Sequence, residues 1–288
     1  MFANAHATTP PRRSPTFNVS TVVAVLLVVL GLSASPAGAQ STATTQPIGK
    51  PTIVLVHGAF ADSSGWNDVA ADLATQGYPV QTFDNPLRGP AHDSSLLEKQ
   101  LATISGPIVL VGHSYGGAVI TNTHDPDVVA NVYIAAFAPD RGEFVQGLLN
   151  PVTFPGSRLL PPALQLKVVD DPNGIGGKNV DGYIGEQYFH EIFAQDVSDE
   201  VAADMFAHQK SAALVANLEP SGDPSWRTVP SWYLVSSHDR VIPPALQRFM
   251  ASRAAAGHIS EVDAGHASLV SQPAVVTGVV IAAAQSTQ

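Results

Sequence analysis

Cysteine is absent from all 288 residues. That excludes disulfides, thiolate metal sites and a cysteine nucleophile together, so the chain must be held by its packed core alone. Charge is also scarce, at 13% of residues, and 14 basic against 24 acidic residues leave a net charge of −10. There is no basic patch to hold phosphates, which argues against nucleic acid as a partner. Low charge with 45% hydrophobic residues, 23 glycines and 23 prolines also argues against a coiled coil or a long disordered tail. No internal repeat is present. What remains is the composition of one large globular domain with a full core.

Long apolar runs are nearly absent too. The exception, Val22 to Leu32, follows Arg12 and Arg13 and precedes the small residues Ala37-Gly38-Ala39. This is the pattern of a secretory signal peptide over residues 1–39, with cleavage expected between Ala39 and Gln40. The rival reading is an uncleaved anchor, for which the run falls short of the roughly 20 residues a spanning helix needs. Cleavage would leave no stable membrane association and a secreted, extracellular or periplasmic, protein. The Arg12-Arg13 pair hints at twin-arginine export, but Pro15 sits where that signal usually has a bulky apolar residue, so the route stays open. Residues 40–50 read as a polar linker.

Beyond it, β-branched runs recur at Thr52–His57, Pro79–Phe83, Ile108–Val111, Val132–Ala136, Trp232–Ser236 and His258–Val262. Each is short and continuously apolar, as suits a strand buried on both faces of a parallel sheet. Helical segments alternate with them at Trp66–Gln76, Ser94–Thr103, Ser114–Thr123, Pro244–Ala256 and Ser268–Ala284. Asp93 or Ser94 is expected to cap the second, Pro243-Pro244 to open the fourth, and Gly77 and Gly257 to close two of them. Such alternation predicts an α/β fold: a mostly parallel six-stranded sheet with helices on both faces. From Asp140 to Arg227 the alternation fails. Prolines, scattered aromatics and the loop-like run Asp170 to Gly177 suggest an inserted cap, helical near 183–193 and 198–214, with no strand of comparable quality. The glycine-rich run lacks the strand and the Gly-Lys-Ser/Thr of a phosphate loop.

The chemistry gathers at Gly112-His113-Ser114-Tyr115-Gly116, directly after Ile108–Val111. Gly-x-Ser-x-Gly alone arises by chance in about one chain in ten of this length. After a strand and before a helix it reads as a nucleophile elbow, which holds Ser114 on a strained turn with a helix N-terminus pointing at it. A serine hydroxyl needs a base, and the base an anchor, in the chain order serine, acid, histidine. Of ten histidines, His266 is the best base, because it follows the last strand and precedes the final helix. His57 and His113 lie beside the expected site in other roles, and His238 should point away from it. Asp239, at the end of the fifth strand, is the favoured acid, although an Asx turn before a proline-initiated helix would also place it there. Asp140 after the fourth strand is the second candidate, and Asp263 is too close to His266 along the chain. Two backbone N–H groups are expected to form an oxyanion hole: that of Tyr115, and that of Ala59 or Phe60 in the turn after the first strand.

The elbow, the His57-Gly58-Ala59 turn, Asp239-Arg240-Val241-Ile242-Pro243, Gly265-His266 and Tyr133 to Asp140 together resemble the α/β-hydrolase superfamily. Within it the resemblance is to the branch of plant methyl-ester esterases (the salicylate-binding-protein type) and hydroxynitrile lyases, over most of residues 51–275 and weakly in the cap. It implies an α/β-hydrolase domain over 51–288, with a cap at about 140–227, that cleaves carboxylic esters through Ser114, His266 and Asp239. Some relatives place the acid where this chain has Asp140. Lyases of this branch carry lysine directly after the histidine, where this chain has Ala267. No metal or organic cofactor is implied, and the expected partner is a small-molecule ester. Phe60, Tyr115 and cap aromatics are expected to wall its pocket. Hydroxynitrile lyase, cofactor-free perhydrolase and lactonase activities on the same triad are the enzyme alternatives, and a non-catalytic ligand-binding hydrolase fold is the alternative of another class.

Overall fold

The computed structural model describes residues 49–287. The expected leader at 1–39 and all but the end of the linker lie outside the described residues. In chain order the elements are β1 (Thr52–Val56), α1 (Asn67–Thr75), β2 (Val80–Phe83), α2 (Pro90–Leu101), β3 (Ile108–His113), α3 (Tyr115–Thr121) and β4 (Val128–Ile134). Then come α4 (Val145–Leu148), β5 (Leu164–Ile175), β6 (Lys178–Ile184), α5 (Glu186–Phe193), α6 (Asp199–Ala207) and β7 (Ala212–Ala213). The chain closes with β8 (Ser231–Ser236), α7 (Pro244–Ala254), β9 (Ile259–Val262), α8 (Ser268–Ser271) and α9 (Pro273–Gln285).

Six strands form one parallel sheet in the order β2-β1-β3-β4-β8-β9. Its central strands are apolar on both faces because both are covered. On one face Trp66, Leu73, Val276 and Val280, from α1, α9 and the turn before α1, pack against Ile53, Leu55, Val109 and Val132. On the other, α2, α3 and α7 meet Val54, Val56, Leu110 and Tyr133. Parallel strands bring all their carboxyl ends to one edge, and the loops after β1, β3, β8 and β9 meet there.

Four local expectations need correction. α2 starts at Pro90, with Gly89 at its N-cap, so neither Asp93 nor Ser94 caps it. A proline supplies the fixed φ and missing N–H that suit the first helical position. Instead Asp93 lies one turn in and reaches back to the Arg88 and Gly89 N–H groups. β4 begins at Val128 rather than Val132 and has a register shift opposite Ile108/Val109. The single final helix is two, because Pro273 has no N–H to continue the ladder and Gln272 leaves helical geometry.

The fourth concerns the cap segment. It holds a three-stranded antiparallel sheet, β5-β6-β7, where no strand was expected. The run Asp170 to Gly177 forms the hairpin end: Gly176 and Gly177 both have positive φ, at 63° and 74°, and Ile175 pairs with Lys178 across them. Two positive-φ residues are what a two-residue hairpin turn demands. The alternation Leu164-Gln165-Leu166-Lys167-Val168 is the strand signal, weaker than the β-branched runs of the parallel sheet. The two cap helices are present, shorter than expected.

Candidate active site

β3 ends at His113 and α3 begins at Tyr115, so Ser114 carries the whole reversal. Its backbone is held at φ 53°, ψ −123°. A non-glycine residue there costs about 1–3 kcal/mol and persists only where its surroundings enforce it. Close packing does so here. A Cβ on Gly112 would lie 2.7 Å from the Gly116 carbonyl oxygen, and one on Gly116 would lie 2.5 Å from that of Val56. The elbow therefore needs glycine at both places, as the motif implies.

His266 lies in the loop between β9 and α8. Its Nε2 is 2.9 Å from Ser114 Oγ and its Nδ1 is 2.7 Å from Asp239 Oδ2. A carboxylate can only accept, so Nδ1 carries the proton and Nε2 is left to accept from the serine hydroxyl. All three side chains are buried. Asp239 Oδ1 accepts from the Val241 and Ile242 N–H groups at 2.7 and 2.9 Å, which fixes the carboxylate plane. The other candidates go elsewhere. Asp140 pairs with Arg227, Asp263 pairs with His238, and His238 is largely exposed.

Three buried residues support this chain in ways the sequence did not indicate. Gln247, on the first turns of α7, donates to Asp239 Oδ2 at 2.7 Å and to the Ile242 carbonyl, and accepts from the Ser236 N–H. His113 donates from Nε2 to the His266 carbonyl at 2.9 Å, with its ring 4.8 Å from the His266 ring. Burial, reinforced by His266, holds His113 well below the usual histidine range, so it stays neutral. Asp93 accepts the Tyr115 hydroxyl at 2.9 Å. Burial first, and the Asp93 charge second, hold that phenol well above the usual tyrosine range. The sequence offered Asp93 only as a helix cap and His113 only as a neighbour of the elbow, and Gln247 only its position near a helix start, which many surface residues share.

The turn after β1 lies beside Ser114 because β1 pairs with β3, Val56 opposite Gly112. His57 anchors it: Nε2 accepts the Asn85 N–H at 2.9 Å, and Asn85 Nδ2 donates to the His57 carbonyl at 3.1 Å. Burial lowers the His57 pKa, so the ring serves as an acceptor. Phe60 has φ 62°, a bent geometry for a side chain of its size. Ala59, Phe60, Ser114 and Tyr115 all line one pocket. The Tyr115 N–H opens α3 and has no acceptor within the helix. Leu149, Leu159, Leu164, Gly182 and Leu214 close the pocket from the cap, leaving about 40 Å³ for the centres of water-sized molecules. Phe60 and Tyr115 line the pocket, but no cap aromatic does; the cap side is mostly aliphatic, with Gln146 and Asn217 as its polar members. Phe189, Phe193 and Phe206 pack on one another, and Phe193 sets its edge against His266. Among the described residues, no group of three or more His, Asp or Glu is placed to hold a metal ion.

A buried hydroxyl–imidazole–carboxylate chain on a strand-to-helix elbow, at the carboxyl edge of a parallel sheet under a cap, defines a serine-type hydrolase architecture. The signature of the alpha/beta hydrolase family matches residues 53–279, and the chain belongs to that family. It is 36% identical over 111 residues to a carbendazim hydrolyzing esterase of Nocardioides sp. (strain SG-4G), a match spanning 33% of this chain and 46% of that protein. It is 29% identical over 244 residues to a pyrethroid hydrolase of Sphingobium wenxiniae, spanning 77% of this chain and 83% of the relative. In structure it is similar to polyneuridine aldehyde esterase, with a TM-score of 0.69 at 19% identity, over 81% of this chain and 98% of that one.

Proposed function

We propose that the protein is an exported carboxylesterase acting on small to medium carboxylic esters through an acyl-enzyme. The observation that carries this reading is the hydrogen-bonded run from Ser114 Oγ through His266 to Asp239, open to an apolar pocket. Ser114 Oγ attacks the ester carbonyl while His266 Nε2 takes its proton, and Asp239 stabilises the imidazolium. The carbonyl oxygen gains negative charge, which the N–H groups of Tyr115 and Ala59 hold, with Phe60 next in the turn. His266 returns its proton to the leaving alcohol. It then activates a water that attacks the acyl group, releases the acid and restores the serine.

The names of the relatives, an esterase and a pyrethroid hydrolase, favour ester substrates. Ala267 is fully buried and carries no charge where a lyase of the resembled branch would place an ammonium. Hydrolysis of p-nitrophenyl acetate and butyrate, beside Ser114→Ala and His266→Ala, tests the reading. The expected result is turnover in the wild type and a loss of about 10⁴-fold or more in either variant. Equal rates in wild type and Ser114→Ala would remove the serine mechanism.

A further inference from the structure

The cap hairpin is inverted relative to an ordinary surface hairpin. Side chains alternate faces along a strand. Lys167, Asp171, Asn179 and Asp181 therefore share one face, and Asp171 and Asp181 on it turn inward to Arg88 of the body. The opposite face carries Leu164, Leu166 and Val168 of β5, with Gly182 opposite Leu166 and Val180 opposite Val168, and ends at the exposed Asp170–Lys178 ion pair. That apolar face is the one turned to water: Leu166 is 57% and Val168 65% exposed. Contiguous exposed apolar surface on a hairpin that could have been polar marks a binding surface.

The two ends of this face lie in different places. Leu164 and Gly182 line the narrow pocket at Ser114. Val168 and Val180, with Ile175 and Val215, line an open groove on the outside of the cap, with about 460 Å³ for the centres of water-sized molecules. Leu214 lines both. Between the ends Gly182 has no side chain, and Leu164 Cδ1 fills that place, 3.2 Å from where a Cβ would stand. From Ile184 to Val180 the face runs about 13 Å, at about 3.3 Å per residue.

We infer that this face is a track for the apolar acyl chain of a medium-length ester whose carbonyl sits at Ser114. The chain passes between Leu164 and Leu214 and continues along Leu166, Val168 and Val180. The occupant is the substrate itself because the track begins inside the Ser114 pocket, and this identification rests on the esterase reading. A butyryl chain ends within the inner pocket, whereas a lauroyl chain reaches the outer groove.

The test compares p-nitrophenyl laurate with butyrate, as a ratio of kcat/KM, in wild type, Leu166→Glu and Val168→Glu. Both positions are exposed, so the fold tolerates the change. Each methylene taken from water is worth about fourfold in affinity. The expected result is a laurate-to-butyrate ratio lowered about tenfold or more in each variant. A ratio unchanged in both overturns the track. Binding is measured separately by calorimetry on Ser114→Ala, with laurate and butyrate as probes. Laurate is expected to bind more tightly, and adding Leu166→Glu is expected to erase that margin. If no ester is turned over but the margin is present and depends on Leu166, the esterase reading fails and the track stands. If butyrate ester is hydrolysed but the margin is absent or indifferent to Leu166, the track fails and the esterase stands. Concentration-dependent dimerisation, or capture by phosphatidylcholine vesicles, that Leu166→Glu abolishes without moving the laurate margin assigns the face to a second copy or a lipid surface and overturns the track.

Discussion

At the scale of single residues the site depends on groups that never reach the pocket. Gln247 shares Asp239 Oδ2 with His266 and ties that carboxylate to the Ser236 N–H and the Ile242 carbonyl. Removing its amide leaves a carboxylate lone pair and a buried N–H without partners, which costs about 1–3 kcal/mol. Gln247→Leu is therefore expected to lower kcat by about tenfold to a hundredfold, with KM little changed. Steady-state kinetics on the butyrate ester separates this positioning effect from lost binding, which would raise KM instead. His113 acts in the same indirect way, holding the His266 backbone while kept neutral by burial.

Among the elements, the cap hairpin and the loop after β2 are fastened through Arg88, which pairs with two hairpin carboxylates. Arg88 donates to both Asp181 oxygens at 2.9 and 2.7 Å and also meets Asp171, while the loop carrying Arg88 is anchored by Asp93. The Asp181 side chain is 1% exposed and that of Arg88 22%. Removing one partner of a buried pair strands the other charge and costs about 3–5 kcal/mol. Arg88→Met is expected at the lower end of that range, because residual exposure lets water screen Asp181. Urea denaturation reads the loss. Limited proteolysis of the same variant is expected to cut first within residues 164–184, since the hairpin loses its tie to the body.

Two expectations belong to the whole molecule. His57 and His113 are both buried with lowered pKa values, so in the folded state they resist protonation. The unfolded chain binds those protons near pH 6.5 and the folded chain only at lower pH. Between these limits the unfolded state holds more protons. Stability therefore rises with pH, and falls as pH drops below about 6.5, by up to about 1.4 kcal/mol per unit for each histidine. Urea midpoints at pH 7.5 and 5.5 are expected to show this fall, and His113→Gln to reduce it. Unchanged midpoints would mean that the two rings protonate as readily in the fold as outside it. For export, N-terminal sequencing of the protein recovered outside the cytoplasm of a bacterial host is expected to begin at Gln40. A start at Met1 would favour the anchor instead.

The sequence by itself determined whatever is local or follows from the direction of parallel strands. Short β-branched runs alternating with helices define the sheet. Once strands run parallel, their carboxyl ends share an edge, so Ser114, Asp239, His266 and the Ala59-Phe60 turn are brought together from positions far apart in the chain. Glycines at 112 and 116 are likewise legible, because a tight elbow excludes a Cβ whatever surrounds it. Only the tertiary structure decided what depends on which surfaces meet. Gln247 and Asp93 look like ordinary helix residues until α7 packs on β8 and α2 on α3. The cap hairpin lay below notice because its alternation is short and its two faces are reversed, apolar outward and acidic inward. That reversal has meaning only once Arg88 supplies the inner partner and Ser114 the end of the track.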